Sequence, residues 1–138
     1  MMMRIWTATF FVLACVASFT VGHAWQQPAA NRGDLKLLLG KAQLGTDTLA
    51  VGERSYPANY ASAEHTHESL EVLYVLSGQY THVLNGRNIN LSPGMVAFVK
   101  PGDKVQHKTG AVPTNVLMIW APGEEGETLA KGFVQPPR

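Results

Sequence analysis

Short apolar runs alternate with turn residues along the chain from residue 34 onward. Leucine, valine, isoleucine and aromatic residues form stretches of strand length that glycine or proline closes, as in LEVLYVLSG (70–78) and NVLMIWAPG (115–123). The pair Asn85-Gly86 is a strong hairpin signal, because a type I′ turn needs positive φ at both central residues. No stretch keeps a 3.6-residue apolar period over a useful length, and no internal repeat occurs. The pattern predicts one all-β domain, a sandwich or a barrel.

The first 24 residues follow a different pattern. Arg4 precedes an uncharged apolar run over residues 5–21, and the small residues Gly22 and Ala24 come after it. This is the layout of a secretory signal peptide. We therefore expect a signal peptide over 1–24, a polar leader over 25–33 and the folded domain over 34–138, in a secreted or periplasmic protein with no stable membrane span after cleavage. An uncleaved N-terminal anchor and lipidation of Cys15 are alternatives that the sequence leaves open.

The charge of the chain limits its partners, and its cysteine content limits its disulfides. The 138 residues have a formal net charge of +1, and no Lys/Arg cluster occurs. We therefore expect no nucleic acid partner. Cys15 is the only cysteine and lies within the expected signal peptide, so the exported domain would fold without disulfides.

Four side chains have the types and spacing of a transition-metal site. His65 and His67 are two residues apart, so in a strand they project to one face. Glu71 opens the next apolar run, and His107 follows one hairpin later. Three imidazoles and one carboxylate suit Fe, Mn, Ni, Cu or Zn rather than Ca or Mg, which prefer oxygen ligands. A closed barrel can bring all four to one point and leave metal positions open for substrate, water or O2.

Four further residues are candidates for lining a substrate cavity. Tyr80 and His82 alternate on one strand face, and Met118 and Trp120 share a face of the last strand. A structural role, as a half-buried histidine or as barrel filling, is the alternative for each. Five apolar side chains are expected to face inward and to make the cavity small and mainly apolar: Leu73, Val75, Val83, Phe98 and Met118.

The stretch HTHESLEVLYVLSG resembles the first conserved motif of the cupin superfamily, which is His-x-His, three residues, Glu, six residues, Gly. His65, His67, Glu71 and Gly78 match this motif without a gap. The family pattern has a glycine six residues before the first histidine, where this chain has Asn59. Asparagine tolerates left-handed backbone angles better than most residues.

The second cupin motif is matched in part. Gly94, Pro101, Gly102 and His107 follow its order, but the spacing from the Pro-Gly turn to the histidine differs by one or two residues. Met95 stands where the family often has aspartate. His107 is therefore the least secure of the four ligand candidates.

The resemblance covers roughly residues 44–122. It implies a double-stranded β-helix barrel with a metal in its mouth, and homodimers as the usual assembly. Three functions stay open. The first is a metal-dependent oxygenase acting on a small organic molecule, with Glu71 as general base. The others are an O2-independent lyase, isomerase or epimerase, and a non-catalytic exported binder of a metal or small ligand.

Overall fold

The computed structural model describes residues 33–133. The expected signal peptide, nearly all of the leader and the last five residues of the chain lie outside this range. The described elements are, in chain order, β1 (Asp34–Leu39), α1 (Lys41–Leu44), β2 (Ala50–Tyr56), β3 (Leu70–Ser77), β4 (Tyr80–Leu84), β5 (Arg87–Leu91), β6 (Val96–Val99), β7 (Val105–Thr109), β8 (Thr114–Ala121) and α2 (Glu124–Lys131). The structure is mostly β, in keeping with the all-β prediction, with the two short helices as additions. Neither of the two described helices is long and apolar enough to cross a membrane.

Two antiparallel sheets share one hydrophobic core. The larger sheet has the strand order β1-β2-β8-β3-β6, and the smaller has the order β5-β4-β7. Tyr80 and Leu91 of the smaller sheet belong to the same buried cluster as Leu73, Val116 and Trp120 of the larger one. The alternation of buried and exposed residues along β8 is that of a strand with one face on a core.

Turn chemistry connects the strands as the sequence predicts. Asn85 and Gly86 both have positive φ, 48° and 79°, and join β4 to β5 as an antiparallel hairpin. Gly78 has a φ of 87°, and a Cβ there would overlap Thr114 at the start of β8. The glycine that ends the first motif is therefore required both by its backbone angle and by a close approach.

Two of the five side chains expected to face inward do not. Phe98 in β6 is 51% exposed on the outer face of the larger sheet. Val83 lies on the opposite face of β4 from the buried His82. Leu73, Val75 and Met118 are buried as expected.

Helix α2 is an addition to the β pattern, and it packs directly on the core. Three acidic residues occupy its first turn, where they interact favourably with the helix dipole. Gly126 is its buried residue, and a Cβ at this position would overlap the Trp120 indole ring. The absence of a side chain at Gly126 therefore lets the helix come into contact with Trp120.

Candidate metal centre

Three histidines from two separate parts of the chain come together. His65 and His67 lie in the connection between β2 and β3, and His107 lies in β7. His65 exchanges two backbone hydrogen bonds with Val105 of β7, at 2.8 and 2.9 Å, so this residue forms an isolated bridge and not part of the expected strand. One ring nitrogen from each histidine lies within 4.8 Å of the other two. These three side chains could therefore hold a metal ion.

Each of the three imidazole rings is fixed through its Nδ1 atom. The partners are the Ala63 carbonyl for His65 at 2.9 Å, Glu125 Oε1 for His67 at 2.7 Å and the Tyr80 hydroxyl for His107 at 2.5 Å. A carbonyl or carboxylate oxygen only accepts, so Nδ1 of His65 and of His67 donates the hydrogen. The lone pair of those rings is then on Nε2, the arrangement that metal-bound histidines share.

The donor set fits a divalent transition metal. His67 Nε2 is buried and has no hydrogen-bond partner among the described residues. Burial lowers the pKa of His65, and burial holds the pKa of His107 well below its ordinary value. Both rings are therefore neutral at neutral pH, as ligation requires.

Glu71 lies beside the three histidines but is not among the residues whose ligand atoms all lie within 4.8 Å of one another. Its Oε1 accepts a hydrogen bond from Trp120 Nε1 at 2.9 Å, and its Oε2 lies 3.4 Å from His67 Nε2. Oε2 has no hydrogen-bond partner among the described residues. Burial raises the pKa of this carboxyl to about 7. At neutral pH Glu71 thus exists in both protonation states, with one oxygen fixed and the other directed at the histidines.

A cavity of about 560 Å³ adjoins the histidines. Its walls include His65, His67, His107 and Glu71, together with Met118 and Trp120 from the set of cavity candidates. Leu35 of β1, Leu129 of α2 and Phe133 after α2 add apolar surface to the wall, and Arg54 also lines it. The Arg54 guanidinium carbon is 3.9 Å from the centre of the Phe133 ring and 4.8 Å from that of Tyr56. The chamber is therefore largely apolar and aromatic, with polar groups concentrated at the histidines.

Tyr80 and His82, the other two cavity candidates, do not line this cavity. Tyr80 is buried and instead contacts His107 through its hydroxyl. His82 is fully buried opposite His107 in the β4–β7 pairing, with ring centroids 5.9 Å apart. Neither nitrogen of His82 has a hydrogen-bond partner among the described residues, and burial lowers its pKa to about 4. Both residues thus lie behind the triad rather than facing the cavity.

Glu125 is the site residue that sequence reasoning missed. One oxygen contacts His67, and the other accepts hydrogen bonds from the backbone N–H groups of Glu68 and Ser69, at 3.1 and 2.8 Å. Burial raises the pKa of Glu125, but the hydrogen bonds from Ser69 and His67 outweigh it and bring the pKa below its ordinary value. The sequence EEGE after a Pro-Gly turn is a helix-start signal, but it does not tell which of its acids faces the site.

Residues 49–119 match the family model described as the AraC-like ligand binding domain. The "HTH-type transcriptional activator RhaR" of Klebsiella pneumoniae is 38% identical over 79 residues, which are 56% of this chain and 27% of that protein. The chain spans about a quarter of the length of the curated relatives it matches.

Solved structures show the same fold. An RmlC-like cupin from Shewanella frigidimarina has a TM-score of 0.54 and 18% identity, with coverage of 59% of this chain and 72% of that one. The polyketide cyclase RemF from Streptomyces resistomycificus has a TM-score of 0.58 and 25% identity, with coverage of 64% and 63%. The cupin resemblance of the sequence is confirmed.

Replacement of Glu125 by glutamine should weaken metal binding about 10- to 100-fold. An amide can still accept from His67, but it loses the charge and the second acceptor oxygen that Glu68 and Ser69 use. Glu124→Gln is the matched control, because it makes the same change at an exposed position of the same turn. Competition with a chromophoric chelator measures the dissociation constants of Zn²⁺ for both variants. Equal affinities for Glu125→Gln and the parent chain would contradict the assignment.

Ionisation of Glu71 should destabilise the metal-free fold. The folded-state pKa of about 7 lies above the ordinary value of 4.5, so the folded chain binds this proton more tightly than the unfolded chain. The contribution to stability is fully present below about pH 4.5 and is lost as pH rises through 7. Glu71→Gln, which cannot ionise, should gain stability relative to the parent over this range, by up to about 3 kcal/mol. Urea unfolding with chelator present at several pH values measures the difference, and a pH-independent difference would refute this expectation.

Proposed function

The chain belongs to the AraC-like ligand-binding domain family of the cupin superfamily, and on that premise we propose that it is a metal-dependent enzyme that moves a proton on a small organic molecule. The observation that carries this proposal is the buried Glu71 carboxyl. It lies beside three histidines that could hold a metal, at the wall of a largely apolar cavity.

His65, His67 and His107 would hold the metal, which would supply Lewis-acid polarisation of a substrate oxygen. Glu71 accepts a proton from the substrate carbon next to the carbonyl group. Burial raises the pKa of this carboxyl to about 7 in the metal-free chain, and a bound cation would lower it, so the carboxylate form that accepts a proton would predominate at neutral pH. The hydrogen bond from Trp120 fixes Oε1 and leaves Oε2 for the proton.

The cavity walls indicate the kind of substrate. Leu35, Met118 and Leu129 offer apolar surface to a bound molecule. Arg54 places a permanent positive charge in the same wall, against the Tyr56 and Phe133 rings. An organic acid with an apolar body and a carbonyl group meets both features, and its size is limited by the chamber of about 560 Å³.

A buried carboxyl beside the three histidines serves proton transfer directly and needs no co-reactant. We therefore place an O2-independent lyase, isomerase or epimerase ahead of the metal-dependent oxygenase that the sequence also suggests. Both would use the same histidines, so the two classes differ in whether O2 is consumed.

A non-catalytic ligand-binding domain is the second candidate, and the family match favours it. The matched model describes a ligand-binding domain, and the curated relatives carry the name of transcriptional activators. In such a protein the cavity would bind a small molecule, and Glu71 would contact it without moving a proton.

The experiment begins with the full chain, purified without chelator or a histidine tag and assayed for Fe, Mn, Ni, Cu and Zn by mass spectrometry. The metal-loaded protein is then incubated in D2O with pyruvate, acetoacetate and phenylpyruvate, with and without O2. Proton NMR follows deuterium entry at the carbon next to the carbonyl. Glu71→Gln is the matched variant, because it keeps the side-chain shape and the acceptor for Trp120.

We expect deuterium exchange to proceed without O2, and its rate to fall at least about 100-fold in Glu71→Gln. Turnover that requires O2 would establish the oxygenase class instead. Saturable binding of a probe to the parent chain without deuterium exchange would favour the ligand-binding domain. A chain that takes up no metal after reconstitution would overturn the metal-dependent proposal.

Residues 1–24 support a separate proposal, that the chain is exported and cleaved to begin at Trp25. Intact mass of the protein from a periplasmic extract should show the loss of these 24 residues. A membrane-bound chain of full mass would identify an anchor, and a mass increment on a peptide that contains Cys15 would identify lipidation.

A further inference from the structure

Helix α2 forms part of the cavity wall, yet it buries very little of itself. Glu125 and Leu129 of the helix line the cavity, and so does Phe133, two residues beyond the end of the helix. Gly126, which has no side chain, is the buried residue among the eight of the helix. The helix therefore gains little free energy from apolar burial, and eight residues are too few to form a stable helix on their own.

Two carboxylates supply polar anchors for α2. Glu125 accepts a hydrogen bond from His67 Nδ1 at 2.7 Å with one oxygen, and from the backbone N–H of Ser69 at 2.8 Å with the other. Glu127 Oε1 accepts a hydrogen bond from the backbone N–H of Lys41, at the start of α1. Each anchor joins the helix to a different segment of the chain. Because apolar burial is small, the strength of these anchors sets how firmly α2 stays against the cavity.

One of the two anchors connects α2 directly to the candidate metal centre. His67 Nδ1 donates to Glu125, and His67 Nε2 is buried without a hydrogen-bond partner among the described residues. A metal ion that binds Nε2 draws electron density from the ring, which makes the Nδ1–H group a stronger donor. The positive charge of the ion also attracts the carboxylate. Glu125 is therefore held more tightly when the histidines carry a metal ion.

We propose that α2 is a movable cover of the cavity, and that a metal ion at the three histidines holds this cover closed through Glu125. In the metal-free chain the helix and Phe133 leave the cavity more often, which opens that wall to a small molecule. In the metal-loaded chain the wall stays in place around a bound molecule. The proposal rests on the metal-binding part of the proposed function and is independent of proton transfer at Glu71.

The size of the effect follows from thermodynamic linkage. If the docked helix strengthens metal binding by a given factor, then metal binding favours the docked helix by the same factor, because both describe one coupling free energy. The hydrogen-bond partner on the far nitrogen of a metal-bound histidine contributes about 10- to 100-fold to metal affinity. A bound metal should therefore lower the population of the undocked helix about 10- to 100-fold.

Backbone hydrogen exchange reports the population of the undocked helix. The N–H groups of Glu68 and Ser69 donate to Glu125, at 3.1 and 2.8 Å, so they lose their acceptor when the helix leaves. The N–H groups of α2 itself become accessible to water in the same event. Exchange in β5, which belongs to the smaller sheet, serves as the reference.

The test is hydrogen–deuterium exchange with mass spectrometry on the full chain, with a chelator and with saturating Zn²⁺. Competition with a chromophoric chelator first measures the affinity of each protein for Zn²⁺. Glu125→Ala removes the link between His67 and α2. The matched control, Glu124→Ala, makes the same change at the exposed neighbouring position of the helix. Circular dichroism establishes that each variant is folded.

We expect Zn²⁺ to slow exchange in α2 and at residues 68–69 about 10- to 100-fold in the parent chain and in Glu124→Ala. In Glu125→Ala the slowing should be less than about threefold, because the helix no longer contacts the ligand ring. Should this variant fail to fold, Glu125→Gln keeps an acceptor for His67 and loses the charge, so its slowing should fall between that of the parent chain and none.

Two outcomes overturn this proposal alone. One is bound Zn²⁺ that leaves exchange in α2 unchanged in the parent chain. The other is equal slowing in the parent chain and in Glu125→Ala, because the helix then responds to the metal by another route. A chain that binds no Zn²⁺ in the chelator competition overturns the metal-dependent function together with the proposal, so the two failures are distinguishable.

Discussion

The candidate site depends on one constraint of imidazole chemistry, which is that a neutral ring presents its lone pair at Nε2 only while its proton is held at Nδ1. Acceptor oxygens meet that constraint for His65 and His67, and a third kind of structure contacts Nδ1 of His107. A loop carbonyl at Ala63 holds His65, the first turn of α2 holds His67 through Glu125, and a core hydroxyl from Tyr80 contacts His107. The strand pairing, the helix and the core packing therefore all converge on the orientation of three rings.

The larger sheet presents different kinds of side chain on its two faces. Its inner face carries Glu71, Met118 and Trp120 toward the cavity, and its outer face carries an apolar surface over β8, β3 and β6. Strand β3 takes part in both, because successive side chains point to opposite sides of a sheet.

The sequence predicts the parts of the fold that depend on local spacing. The hairpin at Asn85-Gly86 and the approach of His65, His67 and His107 follow from turn chemistry and the motif pattern. The face of Phe98 could not be predicted, since a strand that is apolar on both sides gives no alternation to read. Helix α2 is eight residues long and too short for a clear helical period, so Glu125 had no reliable signal. The role of Tyr80 depends on a contact between β4 and β7 that only the folded chain shows.

The hydrogen bond from Trp120 to Glu71 gives the site an internal spectroscopic reporter. The other two tryptophans, at positions 6 and 25, lie in or next to the expected signal peptide, so Trp120 is the indole within the described domain. Its ring is enclosed by Gly126 of α2 on one side, and its N–H donates to the carboxyl oxygen. The chemical shift of the Trp120 indole proton therefore follows the charge on Glu71. The ionisation of the carboxyl becomes observable without a substrate, a metal or an added dye.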